Sequence, residues 1–110
     1  MQYINMDESN NFNIILNYDN VIIRFNRSRA TFREADEFYY ILDNMIEKGF
    51  KKFIIDLYNV DFIDSTFLGS LIVKLKQVKK IEGQLSLANL SNSVYEVVHY
   101  TRFDKIFEVS

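Results

Sequence analysis

The chain has 110 residues, 48% hydrophobic and 15% aromatic, with three glycines and no proline, enough to bury one modest core with little room for linkers or disorder. It holds no cysteine, which excludes disulfides and thiolate metal sites, and it shows no apolar run of about 18 residues and no charged-then-apolar leader; a single cytoplasmic domain over residues 1–110, without a transmembrane segment, is expected. Thirteen basic against fifteen acidic residues give a formal charge of -2, which argues against a general nucleic-acid binder and points to proteins or small molecules as partners.

Two apolar runs, Phe12 to Tyr18 and Val21 to Phe25, are divided by the turn-forming pair Asp19-Asn20 and read as a β-hairpin. Thr31 followed by Glu34 has the form of a capping box. Behind it Phe32, Ala35, Phe38, Tyr39, Leu42, Met45 and Ile46 recur at helical spacing, which predicts a helix from Phe32 to Lys48 stopped by Gly49. The run Phe53-Ile54-Ile55 reads as an interior strand ending at Asp56.

After Asp64-Ser65-Thr66, residues Leu68, Leu71, Ile72, Leu75 and Val78 predict a second helix closed by Gly83, with Lys74, Lys76, Lys79 and Lys80 as its solvated face. Leu85 to Ala88 alternates as a strand, Ser91 can cap a short helix carrying Val94, Val97 and Val98, and Ile106 to Val109 resembles a last strand. The order ββαβαβαβ predicts an α/β domain in which helices pack on a mostly parallel central sheet that begins with an antiparallel hairpin.

Ser65 is the first functional candidate, because it stands where a strand passes into a helix. A helix start presents unpaired N–H groups and a partial positive charge, which suits a hydroxyl that becomes or binds an anion; the plainer reading is an N-cap, open to both Asp64 and Ser65. Thr66 is either a second acceptor or a solvated hydroxyl. At about 100° per residue, Thr66, Ser70, Val73 and Gln77 fall opposite the apolar face of the second helix, so an outward strip beside Ser65 is expected. Phe67 stands at its border, either as an aromatic anchor for a partner or folded into the core.

Asp56, Asp61 and Asp64 could converge on a hard cation such as Mg²⁺, yet a strand end, a turn and a cap account for each locally, so no metal is expected. His99 is the only histidine and has no cysteine or serine-elbow partner, and the three glycines form no phosphate-cradling loop; neither an enzyme nor a cofactor is expected. Phe38-Tyr39-Tyr40 reads as core and helix edge, not as a base-stacking platform.

Taken together, an apolar strand ending in Asp56, the lead-in Val60-Asp61-Phe62-Ile63, then Asp64-Ser65-Thr66 and Leu68-Gly69 opening a helix resemble STAS domains, the anti-sigma factor antagonist family. Gly83 to Ser91 and Tyr100 to Phe107 look like the family's later elements, so the resemblance runs from roughly Ile22 to Val109. It implies a regulator of transcription that acts by binding. Unmodified Ser65 would engage an anti-sigma factor with serine kinase activity, which phosphorylates it, and a phosphatase would reset it. The docking surface expected around Ser65 comprises Asp64, Thr66, Phe67, Gly69, Ser70 and Val73.

A phosphate adds roughly 1.5 to 2 negative charges. The helix start favours it by up to about 1 kcal/mol, whereas burying it unpaired at an interface costs several kcal/mol, so modification is expected to end binding without changing the fold. Two positions differ from such domains. Phe67 stands where a glycine is common, placing a ring at the approach to Ser65, and Asn26-Arg27-Ser28-Arg29 is basic where Gly-x-Leu-Asp is often found. Two alternatives stand beside this reading: a STAS subunit of a membrane transport complex that docks through the same helix face without phosphorylation, and a small-molecule sensor with a pocket between helices and sheet.

Overall fold

The computed structural model describes residues 2–4 and 11–109; residues 1, 5–10 and 110 of the expected 1–110 domain lie outside the described residues. The strands are β1 (Gln2–Ile4), β2 (Phe12–Asn17), β3 (Asn20–Phe25), β4 (Arg29–Ala30), β5 (Lys52–Asp56), β6 (Phe62–Ile63), β7 (Gln84–Ala88) and β8 (Glu108–Val109), and the helices are α1 (Phe32–Glu47), α2 (Ser65–Lys80) and α3 (Asn92–Tyr100). Six strands form one sheet in the order β1-β2-β3-β5-β7-β8. β1 pairs antiparallel with β2 and β2 with β3, whereas β3, β5, β7 and β8 pair in parallel. This is the expected α/β architecture, extended by β1 at one edge and by a separate parallel pair of β4 with β6. Among the described residues, no helix is long and apolar enough to cross a membrane.

Alternation along the strands sorts the sheet into two faces. Val21 aligns with Phe53 and Phe53 with Leu85, while Ile23 aligns with Ile55 and Ile55 with Leu87; all six are buried. Ile22, Ile54 and Ser86, aligned on the opposite face, are only half-buried. The run Phe53-Ile54-Ile55 therefore sits centrally between β3 and β7, but only one of its faces is fully covered. The hairpin turns at Tyr18-Asp19, one residue earlier than Asp19-Asn20, because Asn20 already pairs with Asn17 and Tyr18 takes the left-handed conformation at φ 59°.

The core is aromatic where the sheet meets the helices. Phe25 meets Phe12 edge-on at 4.8 Å and Phe67 edge-on at 5.3 Å, and Phe38 lies 5.2 Å from Phe67. Such edge-to-face geometry sets the positive ring edge against the negative ring face.

Helix α1 starts and stops as its sequence dictates. The Thr31 hydroxyl accepts the Arg33 N–H at 3.3 Å, the Glu34 carboxylate accepts the Thr31 N–H at 2.9 Å, and the capping box is complete. At the other end Gly49, at φ 98°, donates to the Ile46 carbonyl and Phe50 to the Met45 carbonyl, the paired bonds of a left-handed helix stop.

Helix α2 uses the same stop with one change. Glu82, not Gly83, takes the left-handed position at φ 60°, while Gly83 donates to the Val78 carbonyl at 2.9 Å. Gly83 is needed for space instead: a Cβ there would lie 2.3 Å from the Lys51 carbonyl oxygen, which accepts the Gln84 N–H at 2.8 Å.

The solvated lysine face of α2 holds for Lys76, Lys79 and Lys80 but not for Lys74. Lys74 is 3% exposed, donates to Asp43 of α1 and to Gln77, and sits 4.5 Å above the Tyr39 ring. Helix α1 packs alongside α2 and covers that flank. Near the chain's end, Phe103–Lys105 forms a short 3-10 turn, so the last strand begins at Glu108 and not at Ile106.

Candidate functional site

Two very short strands build the site. Parallel pairing sets Arg29 of β4 beside Phe62 of β6 and Ala30 beside Ile63, so the next residue of each strand, Thr31 or Asp64, becomes the N-cap of a helix. The Asp64 N–H donates to the Ala30 carbonyl at 3.0 Å. The Asp64 carboxylate then serves both helices, Oδ1 accepting the Phe67 N–H of α2 at 2.8 Å and Oδ2 the Phe32 N–H of α1 at 2.9 Å. Each bond satisfies a donor that a helix start otherwise leaves unpaired.

With Asp64 as the cap, Ser65 is the first residue of α2. It is exposed, and its hydroxyl has no hydrogen-bond partner among the described residues. The chemistry this allows is that of a free hydroxyl beside the positive ends of two helices. Thr66 is also exposed, Gly69 is half-buried and Val73 is 49% exposed along the same flank of α2.

Two residues expected on that flank are elsewhere. Phe67 is fully buried among Phe25 and Phe38, so it neither anchors a partner nor crowds Ser65. Ser70 is 4% exposed and its hydroxyl donates to the Thr66 carbonyl at 3.0 Å. The physical reason is that α2 packs on two sides, against the sheet and against α1, so the open strip is narrower than a single apolar stripe implies.

Asp56 is buried and stands apart from the site. Its Oδ2 accepts Arg24 Nε at 2.9 Å, and its Oδ1 accepts the Tyr58 N–H at 3.0 Å and Asn89 Nδ2 at 3.1 Å. Asp61 is exposed, its N–H donating to the Ser28 carbonyl at 2.8 Å and its carbonyl accepting the Ser93 hydroxyl at 2.8 Å. These bonds tie the lead-in of β6 to the β3–β4 loop and to α3. Among the described residues, no three acidic, histidine or cysteine side chains are grouped to hold a metal. His99 is exposed and pairs through Nδ1 with Asp104 Oδ2 at 3.0 Å, which holds the Asp104 carboxyl below its ordinary value.

The sequence reading singled out the basic stretch Asn26-Arg27-Ser28-Arg29 but missed the exposed rings of Phe32 and Phe62 and the guanidinium of Arg33 beside it. Phe32 is 62% and Phe62 40% exposed; the guanidinium of Arg33 lies 5.5 Å from the Phe32 ring and that of Arg29 4.1 Å from the Phe62 ring. Phe32 fits the helical stripe of α1 by spacing, but it follows the Thr31 cap directly and opens the first turn at the margin of the core. That position was the available signal.

The family profile of the STAS domain matches residues 3–110. Over 76 residues, 69% of this chain and 66% of the relative, the chain is 30% identical to BtrV of Bordetella bronchiseptica, a protein named as an anti-sigma factor antagonist. It spans between 59% and 66% of the length of the first curated relatives it matches. Its fold is similar to the crystal structure of a protein from Thermotoga maritima named as an anti-sigma factor antagonist, with a TM-score of 0.78, 24% identity and coverage of 89% of this chain and 84% of that one. It is also similar to the Bacillus cell fate determinant SpoIIAA in its phosphorylated form, with a TM-score of 0.71, 16% identity and coverage of 90% of each chain. Matched by that profile over residues 3–110, the chain belongs to the STAS domain family.

Proposed function

We propose that the chain is an anti-sigma factor antagonist, a cytoplasmic protein-binding switch in the control of transcription. While Ser65 is unmodified it sequesters an anti-sigma factor that is itself a serine kinase; phosphorylation of Ser65 by that partner releases it, and a phosphatase restores the binding form. The observation that carries this reading is the exposed hydroxyl of Ser65 at the first position of α2, unpartnered among the described residues. The name given to BtrV and the phosphorylated state of SpoIIAA support it.

The chain supplies an acceptor and no catalytic group. In the transfer, Ser65 Oγ forms a bond to the γ-phosphorus of ATP held by the kinase, the bond from that phosphorus to the β–γ bridging oxygen breaks, ADP leaves, and the hydroxyl proton passes to a base of the kinase. Thr66, exposed next to Ser65, belongs to the docking strip, and Ser65 is the acceptor. Docking uses Ser65, Thr66, Gly69 and Val73 along the open strip of α2, with Asp64 holding its start. The added charge is roughly 1.5 to 2 units, favoured by the helix start and opposed by Asp64. The domain therefore stays folded, while the interface must either pair the dianion or exclude it.

Co-expression with a serine-kinase anti-sigma factor from the same genome tests the reading. The intact mass of the chain should rise by one phosphate, and the rise should vanish in Ser65→Ala. An unchanged mass, together with no complex between the two proteins, would overturn it.

A further inference from the structure

We infer that the cleft beside Asp64 is a docking site for an acidic peptide segment of a protein partner. An open cavity of about 800 Å³ lies between the β3–β4 loop, the first turn of α1 and β6, and its walls include Arg27, Arg29, Arg33, Phe32 and Phe62. All three arginines are exposed, and among the described residues none meets a carboxylate. Arg27 Nε donates to Asn11 Oδ1 at 2.7 Å, while Arg29 and Arg33 rest over the rings of Phe62 and Phe32.

The two carboxylates that also line the cavity are engaged in helix capping. Glu34 Oε1 accepts from the N–H and the hydroxyl of Thr31, and both oxygens of Asp64 accept backbone N–H groups. The cleft is thus net positive in a chain of net charge -2. A guanidinium presents a fixed fork of donors that matches a carboxylate with two parallel bonds. A peptide bearing carboxylates would complement that charge.

The spread of these groups favours a peptide over a small anion. Arg27 comes from the β3–β4 loop, Arg29 from β4 and Arg33 from α1. Phe32 and Phe62 offer apolar surface between them that a lone phosphate would leave exposed and that the aliphatic or aromatic parts of a peptide would cover. Ser65 follows Asp64 in the chain, so a phosphate on Ser65 adds negative charge at the edge of this positive cleft and weakens docking. The inference rests on the proposed function only for which protein donates the segment.

Amide resonances of the isotopically labelled full chain, titrated with a blocked synthetic peptide of four glutamates around one tyrosine, test it without any natural partner. Shifts are expected across residues 27–34 and at Phe62. Affinity should fall about tenfold in the double variant Arg29→Ala/Arg33→Ala, whose dispersed spectrum shows that it remains folded, and should also fall in Ser65→Glu. No shifts in this stretch, equal shifts with the lysine counterpart of the peptide, or the same shifts with inorganic phosphate alone would each overturn the inference. Because the probe is not the anti-sigma factor, these outcomes are distinct from absence of a complex with that protein.

Discussion

Asp64 and Phe32 are joined across the two helix starts by a 2.9 Å hydrogen bond from the Phe32 N–H to Asp64 Oδ2, while Asp64 Oδ1 holds the Phe67 N–H at 2.8 Å. One carboxylate therefore fixes α1 and α2 side by side and presents Ser65 between them and solvent. Removing it in Asp64→Ala leaves two backbone donors without their caps and should cost about 2 to 3 kcal/mol. Asp64→Asn, which keeps one acceptor oxygen, should cost about half of that. Urea unfolding measures both, and an Asp64→Ala protein as stable as the parent would show that the double cap contributes little.

Phe67 belongs to the core and not to the docking surface, although it lies two residues from Ser65. Phe67→Ala should lose about 4 kcal/mol through the cavity left between Phe25 and Phe38. Affinity for the partner per folded molecule should hardly change. The opposite pattern, intact stability with lost binding, would return Phe67 to the surface.

Gly69 separates stability from function. A Cβ there meets no atom beyond the backbone of its own helix within 4 Å, so Gly69→Ala should raise helix stability by about 0.5 to 1 kcal/mol. If the flank of α2 docks the partner, the same methyl group should weaken binding. A stabilised variant with unchanged affinity would remove Gly69 from the interface.

Asp104 gives the fold a pH signature. The hydrogen bond with His99 lowers its carboxyl below 3.8, burial works in the opposite direction, and the charges of His99 and Lys105 lower it further. The unfolded chain therefore binds this proton more tightly than the folded one. The contribution of Asp104 ionisation is present above the unfolded value near 3.8 and disappears as pH falls through the lowered folded value. The stability difference between the parent and Asp104→Asn should accordingly shrink in acid, read from urea unfolding across a pH series. A difference independent of pH would contradict the assignment.

Much of this architecture is legible in the chain, for reasons that differ by element. Helix α1 is announced by Thr31 and Glu34 at one end and Gly49 at the other, because the capping box and left-handed stop are local bonds that need no tertiary partner. The Asp64-Ser65-Thr66 turn is legible for the same reason. Strands β4 and β6 are not, since two residues carry no period, yet their pairing is what brings Thr31 and Asp64 together. Ser70 and Lys74 were misplaced because periodicity reveals one buried stripe, while α2 is covered on a second flank by α1. Phe67, on the border of the stripe, was open to either side until Phe25 and Phe38 supplied its contacts.

The central claim is that the state of Ser65 decides whether the chain binds its partner. Calorimetric titration of a serine-kinase anti-sigma factor with the unmodified and the Ser65-phosphorylated chain measures this directly. The account predicts tight binding of the unmodified form and a loss of at least about a hundredfold, roughly 2.7 kcal/mol, on phosphorylation. Equal affinity of the two forms would contradict it.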